Sequence, residues 1–197
     1  MDKQTAEILQ KIEEAEYVLV GLGQEFDMEF FLQSREDYRR IREQLQQQNV
    51  LWLLPYVEEH FRRQYLPEME AEIEKGLQKL AKVLEKKSYF VVSSSLNHKL
   101  AEVPWKKMLL KKERFVAPCG DWTKKQCPDG CEEGIQTVTE ADEEQLQESF
   151  KKLQTNGFSV PDLGKCPKCG KKLVLNNVYA GRYDEKGYLK TWTEYQN

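Results

Sequence analysis

Ala6, Leu9, Ile12 and Ala15 recur at helical spacing, and the apolar run Tyr17-Val18-Leu19-Val20 follows them directly. That run is short, partly β-branched, and closed by Gly21-Leu22-Gly23, so the order predicted is helix, buried strand, glycine turn. Over 34–48, a stretch rich in Gln, Glu and Arg, Tyr38, Ile41 and Leu45 share one side of a helix. Leu51-Trp52-Leu53-Leu54 then meets Pro55, which divides two helices or opens the second. Ile73, Leu77, Leu80 and Leu84 form the apolar stripe of a further helix near 70–86. Tyr89-Phe90-Val91-Val92 is a second buried strand, ending at Ser93-Ser94-Ser95. Helices rather than a tight turn separate the two strands, which favours parallel pairing in an α/β sheet with helices on its faces.

From about Phe115 the chain turns to cysteine, lysine and glycine, with one acidic helix carrying Leu146, Phe150 and Leu153. Three regions are therefore expected: an α/β region over 1–114, a metal module over 115–178, and a closing segment over 179–197. At 197 residues and 40% hydrophobic content the chain can bury a real core. It has no run of apolar residues long enough to span a bilayer, and its amino terminus lacks the basic stretch and apolar block of a secretory signal. A cytoplasmic, membrane-free protein is expected. The net charge of −3 supplies no global field for nucleic acid. The basic character of 104–131 and the acidic character of 131–150 are solvated faces on this reading. Lysines beside Trp105, Phe115 and Trp122 resemble a strand-binding surface, but these aromatics are more simply packing for a small module. His60 reads as a helix-face residue, and Tyr188, Trp192 and Tyr195 as cover for the core or for a dimer face.

Five cysteines in a reducing compartment point to metal or catalysis rather than disulfides, and the odd number to four plus one. Cys166-Pro167-Lys168-Cys169-Gly170 has the form of a zinc knuckle, and Cys127-Pro128-Asp129-Gly130-Cys131 supplies a second pair, one residue wider. The stretch 132–165 between the pairs exceeds a compact ribbon, so its helix is expected to loop out. Four thiolates complete a tetrahedral shell and leave no position for water or substrate; the expected Zn2+ is structural. Lys124, Lys125, Lys165, Lys168, Lys171 and Lys172 are available to offset the negative charge of such a site.

These landmarks together resemble the sirtuin family, closest to the bacterial macrodomain-linked branch. The stretch from Glu14 through Val20 into Gly21-Leu22-Gly23 resembles the strand and Gly-Ala-Gly turn that hold the NAD pyrophosphate. Tyr89 through Asn97 resembles the strand leading into the Thr-Gln/Ser-Asn-x-Asp motif. Cys119-Gly120-Asp121-Trp122 occupies the place of the His-Gly element, and the cysteine pairs complete the order. The resemblance implies a partial Rossmann-like parallel sheet with an inserted four-cysteine zinc-ribbon module. It also implies a cofactor site at Gly21, Gly23, Ser95 and Asn97, and a catalytic position at Cys119.

The departures point away from catalysis. Glu25 and Asp27 follow the glycine turn, where two carboxylates would face two phosphates, which disfavours NAD. Ser95 and Asn97 stand for the family's Asn and Asp, and Cys119 stands for its histidine base, although a thiol is mostly protonated at neutral pH. The family's later strands, with their Gly-Thr-Ser turn, have no counterpart here, so the chain reads as degenerate and shortened at its carboxyl end. The resulting expectation is a sirtuin-like zinc protein that binds a partner protein, a second copy of itself, or an ADP-ribose-type ligand. The alternative is an NAD-dependent deacylase or ADP-ribosyltransferase in which Cys119 or His98 takes the histidine's part. His98 is otherwise expected on a loop surface.

Overall fold

The computed structural model describes residues 3–102, 114–131 and 134–196, without the side chains of 102, 190 and 194–196; Trp105 and the side chain of Tyr195 lie outside this set. Helix α1 (Lys3–Glu14) leads into strand β1 (Tyr17–Leu22), a 3-10 turn (Gln24–Asp27) and the one-turn helix α2 (Glu29–Leu32). Helix α3 (Glu36–Gln47) and a second 3-10 turn (Leu51–Leu53) precede α4 (Leu54–Tyr65), α5 (Pro67–Leu84) and strand β2 (Ser88–Ser93). Tyr38, Ile41 and Leu45 of α3 are buried, as their spacing predicts. Pro55 sits in the first turn of α4, where a missing amide costs nothing, so it opens that helix. In α5, Leu77, Ala81 and Leu84 are buried and Ile73 and Leu80 pack beside them.

Past β2 come α6 (Lys99–Glu102) and strands β3 (Phe115–Val116), β4 (Gly120–Gln126) and β5 (Gln136–Thr137). Helix α7 (Glu140–Gln154), strand β6 (Val174–Asn177) and helix α8 (Lys186–Gln196) complete the order. The first sheet runs β1-β2-β3 with both pairings parallel; Leu19 lies opposite Phe90 and Val20 opposite Val91. Phe115 and Val116, where the composition changes, thus finish the parallel sheet, and the second sheet begins at Gly120. That second sheet runs β5-β4-β6 and is antiparallel.

Val18, Val20, Tyr89 and Val91 of the parallel sheet pack against the stripe of α5 and Ile12 of α1. The opposite face is covered at Phe90 by Trp192 of α8, with ring centroids 6.2 Å apart. At β1 it is bare: Tyr17 is 73% and Leu19 61% exposed. A second and larger core joins α3 and α4 to α7 and the antiparallel sheet, and takes in Trp122, Cys127 and Cys166. Leu146, Phe150 and Leu153 of α7 belong to it, so the acidic helix does not loop away from the knuckles but packs on the helical body. Among the described residues no helix is long and apolar enough to cross a membrane.

Candidate metal centre and strand-end cleft

Each cysteine pair is shaped by a tight turn. Gly130 donates its N–H to the Cys127 oxygen at 3.0 Å, and Gly170 donates to the Cys166 oxygen at 2.9 Å. Both glycines have left-handed φ, 68° and 74°, a conformation in which a side chain is strained. The turns bring Cys127, Cys131, Cys166 and Cys169 together with all four sulfurs within 4.8 Å of one another. Thiolates bound to zinc at about 2.3 Å in a tetrahedron stand about 3.8 Å apart, so the donor set and its spacing fit a zinc-like dication. Cys127 and Cys166 are buried, Cys131 is half-buried and Cys169 exposed. Lys171 pairs with Asp129 at 2.8 Å and ties one knuckle to the other. Lys125 is not beside the sulfurs: it is buried in an ion pair with Asp142 at 2.7 Å.

The other predicted site residues meet at the carboxyl ends of β1, β2 and β3, where ligands bind in open parallel sheets. Gly21 lies near the end of β1 and Gly23 follows it, Ser95 and Asn97 follow β2, and Cys119 follows β3. Asp27 links two of these ends. Its Oδ1 accepts from Ser95 Oγ at 2.5 Å, Leu96 N at 2.9 Å and Asn97 N at 3.2 Å. Burial raises its carboxyl above the ordinary value; the Ser95 bond, the Arg62 charge and the two amides offset this only in part. Cys119 is half-buried, and burial followed by the negative charge of Asp27 pushes its thiol up, so it is a poor base.

Glu25 and Asp27 therefore act differently from the expectation that both face the cleft. Asp27 is buried against the turn after β2, whereas Glu25 is exposed and folds back so that a Cβ at Gly23 would overlap its carboxylate. A dinucleotide diphosphate needs an open glycine turn and free donors. Here one carboxylate covers the turn and another consumes the donors, so the residues as arranged do not fit NAD.

Sequence reasoning missed a buried network beside this cleft. Helix α4 carries Glu58, Glu59 and Arg62, all buried within an otherwise apolar surface. Glu59 Oε2 lies 2.6 Å from His98 Nδ1 and accepts from Trp122 Nε1 at 2.5 Å, and Glu59 also pairs with Arg63. His98 is thus no surface residue: it is 8% exposed and its ring packs edge-on to Trp122, 4.7 Å between centroids. Trp122, in the same network, is buried. His60 is half-buried, bonded through Nδ1 to the Tyr56 oxygen at 2.9 Å and packed on Phe150. The one signal for this network in the chain is the acidic pair Glu58-Glu59 directly after the apolar run that ends at Val57.

Strand β4 connects the two centres, since Cys119 immediately precedes it and Cys127 immediately follows it. The whole is a mixed α/β chain with a parallel three-stranded sheet and a four-cysteine cluster able to hold a metal ion. It matches no protein-family model and no curated protein.

Proposed function

We propose that this chain is a sirtuin-like protein, with a Rossmann-like parallel sheet and one structural zinc, that binds a partner without NAD-dependent deacylation. The observation that carries the reading is the meeting of Gly21 and Gly23, Ser95 and Asn97, and Cys119 at adjacent strand ends, with the Asp27 carboxylate bonded among them. The arrangement keeps the order of a nucleotide cleft and fills it with the chain's own charge. A thiol raised by burial stands where the family has its base, which supports loss of the chemistry. The ligand is accordingly a protein surface or a second copy, with an ADP-ribose-type molecule as the small-molecule alternative.

The zinc-loaded protein should contain about one zinc per chain. Incubated with NAD and acyl-lysine peptides, it should release no deacylated peptide by mass spectrometry. NAD-dependent turnover that disappears in Cys119→Ala would sink the reading.

A second reading, an enzyme with an altered site, draws on the Glu59–His98 pair, since a carboxylate on Nδ1 fixes a histidine's tautomer and orientation. On that reading turnover would persist in Cys119→Ala and vanish in His98→Gln.

A further inference from the structure

We infer that the turn after β2 is an oxyanion site which the chain fills with its own Asp27, and that a phosphoryl group is the ligand able to displace it. Three donors, the Ser95 hydroxyl and the amides of Leu96 and Asn97, converge on the single oxygen Oδ1 of Asp27. Consecutive amides aimed at one point form an anion-binding concavity whatever oxygen occupies it. Ser95 and Asn97 are 2% and 4% exposed, so the donors are already desolvated and positioned.

A second observation comes from the arginine that holds the Asp27 backbone. Arg62 is 1% exposed; it gives Nε to Glu70 at 3.1 Å and Nη1 to the Asp27 main-chain oxygen at 3.4 Å. Its Nη2 is buried and has no hydrogen-bond partner among the described residues. Buried guanidinium hydrogens are ordinarily satisfied, and Arg is the side chain best matched to planar or multi-oxygen anions. Asp27 engages the three donors through one oxygen and leaves Nη2 unmet. A phosphoryl group carries three acceptor oxygens and a charge near −2, enough to use both the turn and Arg62.

The carboxylate sits where the backbone changes direction, between residues anchored in the core. Asp27 ends a 3-10 turn, and Met28 directly after it has a left-handed φ of 56°. The helix that follows is only one turn long and leaves Phe30 82% exposed.

The inference rests on the strand-end cleft of the proposed function but not on its lost chemistry. Deacylation would sink that function and leave the phosphate result standing. The test is calorimetric titration of zinc-loaded protein with inorganic phosphate, and separately with ADP-ribose to distinguish a free phosphate from one carried on a nucleotide. Asp27→Ala should bind at least one of the two about tenfold or more tightly than the unaltered chain, and Asp27→Ala with Ser95→Ala should lose that gain. No gain with either probe, or a gain that survives the Ser95 change, overturns the inference. Should Asp27→Ala fail to fold, Asp27→Asn keeps the shape without the charge. Phosphate should then move the Leu96 and Asn97 amide resonances of that variant, and unmoved resonances overturn the inference equally.

Discussion

Glu58 and Glu59 are neighbours on one helix with opposite electrostatic fates. Burial pushes the Glu58 carboxyl up to about 7, and the 2.6 Å bond from the Tyr38 hydroxyl and the charge of Arg62 offset it only in part. Burial acts on Glu59 too, but the bond and charge of His98, the Trp122 bond and the Arg63 charge overcome it and bring that carboxyl down to about 2. The sign for Glu58 follows from its ordinary value of 4.5 in the unfolded chain. Its stabilising contribution is full below 4.5 and is lost as pH rises through 7, an effect of about 3 kcal/mol. Glu58→Gln should abolish most of that loss, so urea unfolding at about pH 5 and about pH 8 should differ much less in the variant. At this scale the sequence was least informative. Asp27 and Ser95 meet across the whole helical region, and nothing local in either motif announces the bond.

Elements with a strong repeating pattern were legible, and those without one were not. The buried faces of α3 and α5 follow their apolar spacing, and β1 and β2 coincide with the two short apolar runs. Strands β3 and β5 are two residues each, too short to carry any period, and Val-Leu-Asn-Asn of β6 buries both asparagines. Asn176 and Asn177 are held by bonds to Gln126 and to the Trp52 oxygen, pairings set by tertiary structure alone. Helix α7 begins with a capping box in which Thr139 and Asp142 bond each other's amides. Thr139→Ala should therefore cost about 1 kcal/mol, read as a lower urea midpoint with metal content unchanged. Asp142 also serves Lys125, so its own removal would strand a buried ammonium and cost more.

Across the molecule, the cysteine cluster is part of the main core rather than an appendage. Cys127 and Cys166 pack in the same cluster as Trp52, Leu53, Tyr56 and Phe61 of the helical body. Spacing in the sequence identified the four cysteines, because ligand chemistry is local; it did not show that a metal held there would brace α3, α4 and α7. Stripping the metal with a chelator should lower the melting temperature by about 10 °C or more, followed by circular dichroism. An unchanged melt would mean that the core holds without the ion. The parallel sheet has its own, smaller cluster around Leu77, Leu84 and Val91 and an uncovered face at β1, and should lose hydrogen-exchange protection before the larger core.

The bare outer face of β1 bears on how this chain behaves at high concentration. Among the described residues strand β1 is an edge of its sheet, and Tyr17 and Leu19 present greasy side chains there. Such an edge is a template for sticking to other chains. Yield on refolding should therefore fall as the protein is made more concentrated, and a charge at Leu19, which costs little where the side chain is already in water, should recover it.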